Sequence, residues 1–263
     1  LRAVCTFSCI GHHAIGLARA GITTTAFCEL NPWRRDRIAE FFPGVPCHDD
    51  IATFKAPKAE IIIGGPPCQK TSVAAAIHGK RSGKSLWPEM LRIGIDMGAE
   101  WFVVEQPPGN AVWERKVGNS LRRAGFHVAR AQFAACDVGA PYLRQRVFLV
   151  ACTSLSRLEV AWSALPSAIE SVKGAAHARG DWDADQLETF PVDARAAGEM
   201  DAGSRERREW IEALGDSNPP HMAEVIGRAI MAANSKGAAV GSLPVYGQME
   251  RCGDTRFAAA PAN

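Results

Sequence analysis

Short apolar runs alternate with longer mixed segments through the first 150 residues, and that alternation predicts the architecture. Arg2 to Phe7 reads as a strand, followed by a turn at Gly11 and a helix from about His13 to Ala20. Thr23 to Glu29 reads as a second strand and Pro32 to Phe42 as a helix, because proline fits a first helical turn. Ile61 to Ile63 is an unbroken apolar triplet, as expected of a strand buried on both faces, and it stops at Gly64-Gly65-Pro66-Pro67. Trp101 to Glu105 stops in the same way at Gln106-Pro107-Pro108-Gly109, and Val147 to Ala151 closes the series. Strands separated by helices imply an α/β fold whose mostly parallel sheet carries helices on both faces.

Beyond Thr153 the rhythm weakens. The chain becomes rich in Ala, Ser, Asp, Glu and Pro, with isolated aromatics at Trp162, Trp182 and Phe190. That composition fits a small lobe, a long insertion or a linker. Met222 to Ala233 regains a helical period after Pro219-Pro220 and is expected to return to the first domain. The expected organisation is a main domain at 1–152, a small region at 153–204, a returning segment at 205–236 and a loose tail at 237–263.

Composition adds exclusions. The 263 residues, 47% hydrophobic and 22% charged, suit one substantial core with a small added lobe. A net charge of +2 neither announces nor excludes nucleic acid, since a basic cleft can sit on a nearly neutral protein. No apolar run approaches the roughly 18 residues that span a bilayer, so no membrane role is expected. The eight cysteines include no CxxC pair, and the start shows no secretory pattern. Mostly free thiols in a reducing cytoplasm are expected. His12 and His13 have no partners at metal-ligand spacing, so they are expected to line a polar loop or cap the next helix, with no metal bound.

Candidate chemistry gathers at strand ends. Cys68 follows a buried strand through a loop stiffened by Gly64-Gly65-Pro66-Pro67, on the edge of the sheet where ligands collect in open α/β folds. Glu105 ends another strand, and two parallel strands ending together bring these two residues to one rim. Arg144 and Arg146 share a face if their strand starts early enough. Blander readings stand beside these: a structural turn at Cys68, a carboxylate capping a loop at Glu105, and a solvated strand face at the arginines.

The ordered set Phe7-Ser8-Cys9-Ile10-Gly11, Pro66-Pro67-Cys68-Gln69, Glu105-Gln106-Pro107, Arg144-Gln145-Arg146-Val147-Phe148 and Ala213-Leu214-Gly215-Asp216-Ser217-Asn218-Pro219-Pro220 resembles the motifs of DNA cytosine C5 methyltransferases of compact bacterial or phage type. The resemblance runs from about Val4 to Ala232. It implies a Rossmann-like fold for S-adenosyl-L-methionine (AdoMet) with a small target-recognition lobe in the 153–204 region. It also implies Cys68 as the nucleophile that adds to cytosine C6, Glu105 on N3 and the exocyclic amine, and Arg146 on O2. Arg144 would organise the site or meet phosphate. For the cofactor it implies Phe7, Gly11, Glu29, Leu30, Asp50, Ile51, Pro66, Ser217 and Asn218, with Trp33 as an added wall. A generic nucleotide pocket built on Glu29 is the alternative.

For substrate the resemblance implies duplex DNA with a flipped cytosine, met by Gln69, Ser72, Lys84, Tyr142, Arg157 and Arg179, with Lys173, His177 and Arg195 as further candidates. A restriction endonuclease partner and a nucleoid-associated location follow from the same likeness. Methylation of tRNA cytosine and a noncatalytic DNA-binding role are the alternatives. Departures from the family pattern fall at Cys9, His12, His13, Gln106, Pro107, Tyr142 and Asp216.

Overall fold

The computed structural model describes residues 1–67, 85–183 and 203–235. Within them a seven-stranded sheet runs in the order β3-β2-β1-β4-β5-β7-β6. The strands are β1 (Arg2–Thr6), β2 (Thr23–Cys28), β3 (Cys47–His48), β4 (Ile61–Gly64), β5 (Trp101–Gln106), β6 (His127–Ala134) and β7 (Gln145–Cys152). The pairings from β3 across to β5 are parallel, whereas β7 runs antiparallel to both β5 and β6. The expected mostly parallel sheet is therefore present, with an antiparallel pair at one side.

Alternation along the central strands divides the core in two. Ala3, Cys5, Ile61, Ile63, Trp101, Val103, Phe148 and Val150 face one layer; Val4, Ile62, Phe102, Val104, Val147 and Leu149 face the other. Burial on both faces is why these strands are continuously apolar. The first layer is covered by α1 (His12–Arg19), α5 (Leu155–Arg179) and α7 (Pro220–Ser235), the second by α3 (Trp87–Asp96) and α4 (Ala111–Arg123). Helices α2 (Pro32–Phe41) and α6 (Arg205–Asp216) complete the described set. Asn31, Asn110, Ser154 and Ser204 accept hydrogen bonds from the first-turn amides of α2, α4, α5 and α6, fixing where those helices begin.

The region after Thr153 differs from its expectation as a separate lobe. Residues 155–179 form one long helix in the main core, burying Leu158, Ala161, Trp162, Leu165, Ala168, Ile169, Val172 and Ala176. The helical spacing is present, but three of these eight positions are alanine, which makes the stripe faint in sequence. Pro166 inside the helix adds a helix-breaking signal that tertiary burial overrides. Within the 153–204 region, residues 184–202 lie outside the described residues. The tail expected at 237–263 also lies outside them. The returning helix packs on α1 and α5, as its apolar period requires.

Candidate active site

The C-terminal ends of β1, β4 and β5 share one rim, since Thr6 pairs with Gly64 and Gly64 with Val104. A recess of about 300 Å3, open to solvent, lies there, lined by Phe7, Ser8, Cys9, His12, His13, Gly65, Glu105, Asp216, Ser217 and Asn218. Its floor is the loop from β1 into α1. Phe7 and Cys9 adopt φ of 52° and 51°, and Gly11 adopts φ of 86°. Positive φ is costly for side chains other than glycine, about 1–3 kcal/mol each, and such strain collects at functional sites.

Compensating bonds hold this loop. Glu29, at the end of β2, accepts the Cys9 amide at 2.8 Å through Oε2 and the Asn31 amide at 2.9 Å through Oε1. The Cys9 thiol donates to the Ala213 carbonyl at 3.1 Å, tying the loop to α6. Burial pushes this thiol up to about 12, so it stays a protonated donor. A Cβ at Gly11 would lie 2.7 Å from the Phe42 ring, so both space and backbone demand glycine. His12 and His13 open α1 and are buried; His12 Nδ1 lies 2.8 Å from the Asn218 carbonyl and 2.9 Å from Ser217 Oγ. They therefore line the recess, and neither side chain caps the helix.

The opposite wall is charged. Glu105 is almost wholly buried and Arg146 mostly so, and Arg146 Nε lies 2.8 Å from Glu105 Oε1, close enough for an ion pair although not aligned as a hydrogen bond. A Cβ on Gly65 would come 2.8 Å from Glu105 Oε2, so glycine there makes room for the carboxylate. Beside it, Gln106 Nε2 donates to the Pro66 carbonyl at 2.6 Å, fastening the exit of β4 to β5. Arg144 points elsewhere: its guanidinium holds the carbonyls of Gly215, in the last turn of α6, and of Ser217, at the C-terminal cap of that helix. Arg34 pairs with Asp216 at 2.7 Å from the outer side of that turn.

Several expected residues lie apart from this recess. Leu30 is largely exposed, Asp50 Oδ1 caps the Ala52 amide at 2.9 Å, and the Ile51 side chain is buried in the second core layer. Trp33 packs edge-on against Trp210 at 5.1 Å. Arg157 pairs with Glu100 and sits over the Trp101 ring, at the end of β5 away from Glu105. Arg179 binds Asp181 at 2.7 Å, and Tyr142 meets Trp182 edge-on at 6.2 Å. Cys68, Gln69, Ser72, Lys84 and Arg195 lie outside the described residues. Among the described residues no group of three or more His, Cys, Asp or Glu forms a metal cluster, and no helix is long and apolar enough to cross a membrane.

Three positions matter more than sequence reasoning suggested: Gln106 as a loop tie, Cys9 as a structural donor and His13 as a wall of the recess. Their signal was the departure from pattern itself, which marked the positions without giving their contacts.

Comparison with known proteins agrees with this geometry. The family model described as C-5 cytosine-specific DNA methylase matches residues 1–179. A Type II methyltransferase of Bacillus subtilis, M2.BsuMI, is 32% identical over 162 residues, covering 57% of this chain and 42% of its own. The Type II methyltransferase M.DdeI of Desulfomicrobium norvegicum is 27% identical over 164 residues, covering 56% and 40%. The chain thus spans less than half the length of these two curated relatives. The solved Entamoeba histolytica methyltransferase EhMeth superposes with a TM-score of 0.61 at 11% identity, covering 90% of this chain and 99% of its own, a likeness of fold alone. With the family model matched over most of its length and the matching strand ends gathered on one rim, the chain belongs to the C-5 cytosine-specific DNA methylase family.

Proposed function

We propose that the chain transfers a methyl group from AdoMet to C5 of a flipped cytosine in duplex DNA, with Cys68 as the covalent nucleophile. The observation that carries this reading is the buried Glu105–Arg146 pair facing the strained loop between β1 and α1 across one recess. A polar, preorganised wall of this kind suits a base whose charge changes during reaction.

The residues fit AdoMet. Glu29 uses one acceptor site on each oxygen for the loop amides, and a carboxylate has about four, so acceptors remain for ribose hydroxyls. The Asn218 side chain is almost wholly buried at the recess, and neither Oδ1 nor Nδ2 has a hydrogen-bond partner among the described residues. An amide left unpaired costs about 1–3 kcal/mol, and an amino-acid carboxylate and ammonium would satisfy both of its atoms. When bound, AdoMet supplies the methyl group on an electrophilic sulfonium.

The chain's own residues supply the rest. Cytosine C5 is a weak nucleophile until a thiolate adds at C6 and makes it enamine-like. Glu105 would hold N3 and the exocyclic amine, while Arg146 would turn from Glu105 toward O2. Gln106 would steady Pro66, two residues before the nucleophile, and Arg144 would brace the 215–217 turn on the cofactor side. Arg179 at the end of α5 flanks the segment expected to read DNA. The Type II methyltransferase names of relatives are consistent with a restriction endonuclease as a functional partner.

Labelled AdoMet incubated with mixed-sequence duplex DNA and with tRNA tests the proposal. Label entering DNA cytosine with wild type and absent with Cys68→Ala is the expected result. Transfer to tRNA alone would reassign the polymer, and no transfer despite measurable AdoMet binding would favour a noncatalytic DNA binder.

A further inference from the structure

Resting on the proposed reading, the reaction leaves one chemical role unfilled. After C5 receives its methyl, it still carries its original hydrogen, and C6 still carries the Cys68 sulfur. Completion requires a base to take that hydrogen as a proton. The C5–H electron pair becomes the C5=C6 bond, the C6–S bond breaks, and its pair returns to the sulfur. We infer that His13 is this base, accepting the C5 proton at Nε2 directly or across one ordered water.

Among the described residues, the titratable groups lining the recess are Cys9, His12, His13, Glu105 and Asp216. Cys9 is a thiol donating to the Ala213 carbonyl, Asp216 is paired with Arg34 at 2.7 Å, and Glu105 lies against Arg146. His12 directs Nδ1 at the Asn218 carbonyl and Ser217 Oγ. His13 differs, because its Nε2 is buried and has no hydrogen-bond partner among the described residues. The residue is 8% exposed and lines the same recess as Glu105. Burial lowers its pKa below the ordinary histidine value; the Glu105 charge works against that shift and the Arg146 charge with it. The imidazole is therefore neutral near pH 7, with a lone pair to offer in one of its tautomers.

The test is a single turnover of full-length wild type, His13→Phe and His13→Gln on duplex DNA carrying tritium at cytosine C5, with carbon-labelled AdoMet. Thermal melting and AdoMet binding establish that each variant is folded. In wild type, tritium release should match methyl incorporation. Both variants should still incorporate methyl, release tritium about 100-fold more slowly, as expected on losing a general base, and accumulate a denaturant-stable protein–DNA adduct on ordinary cytosine. An amide is not a base at this pH, so glutamine should not rescue. Tritium release that keeps pace with methylation in both variants, without adduct, overturns the assignment. So does loss of the first methyl transfer in folded variants, because a base acting afterwards leaves that step intact. A wild type that methylates neither DNA nor tRNA overturns the proposed function, and this assignment with it.

Discussion

Gln106→Met removes one hydrogen bond while keeping side-chain length and burial. The Gln106 amide reaches the Pro66 carbonyl at 2.6 Å, both residues are buried, and Pro66 stands two residues before Cys68. Methionine fills the space without donating, which leaves a buried carbonyl unpaired at a cost of about 1–3 kcal/mol. For a chain of this size that corresponds to a drop in Tm of about 2–4 °C per kcal/mol. If the bond also sets the position of the loop that presents the nucleophile, a displacement near 1 Å would reduce kcat by about 100-fold. AdoMet affinity should change little, because Glu29 and the loop between β1 and α1 remain intact. Calorimetry, AdoMet titration and single-turnover methylation read these three quantities separately, with Gln106→Asn as the shorter donor falling between wild type and Met. A Gln106→Met protein that melts with wild type and keeps its kcat would refute the reasoning, since the bond would then support neither fold nor loop.

Three further outcomes follow from the same geometry. Gly65→Ala places a methyl 2.8 Å from Glu105 Oε2, so methylation should fall by about 10–100-fold in a protein whose AdoMet affinity, read by calorimetric titration, is little changed. Glu29→Gln turns an amide donor toward one of the two backbone amides that the carboxylate accepts, costing about 1–3 kcal/mol and weakening AdoMet by about tenfold or more in the same titration. Burial lowers the pKa of both His13 and His221, with the hydrogen bond from His221 to Asp181 opposing the shift at the latter. The unfolded chain then takes up protons first as pH falls below about 6.5, so stability should decline from there toward lower pH. His13→Phe should flatten that decline in urea-unfolding midpoints, and an unchanged slope would count against a buried neutral His13.

The central fold was legible because its strands are buried on both faces. Ile61 to Ile63 and Trp101 to Val104 carry no polar position, and their ends coincide with Gly-Pro punctuation. Helix α5 was harder to read, because alanine supplies much of its buried stripe and Pro166 interrupts its propensity. Strand β6 was not anticipated either; its His127–Ala134 run alternates, but alanine at three of eight positions weakens the contrast. Strand-end logic pointed to Glu105 and the ordered motifs to Ser217 and Asn218, which line the recess, and to Arg146, which lies against Glu105. Sequence spacing has no access to rotamers, however. It did not foresee Arg144 turning toward the 215–217 carbonyls, or Arg157 pairing with Glu100 beyond the opposite end of β5.

Covalent catalysis on a DNA cytosine at this recess would be trapped by duplex DNA carrying 5-fluorocytosine, on which C5 holds no hydrogen to lose as a proton and the adduct cannot resolve. With AdoMet present, wild type should form a denaturant-stable complex with this DNA, one methyl heavier than the sum of its parts, and Cys68→Ala should form none. An adduct that persists in Cys68→Ala, or its absence from AdoMet-bound wild type on DNA rich in varied cytosine contexts, would contradict the account.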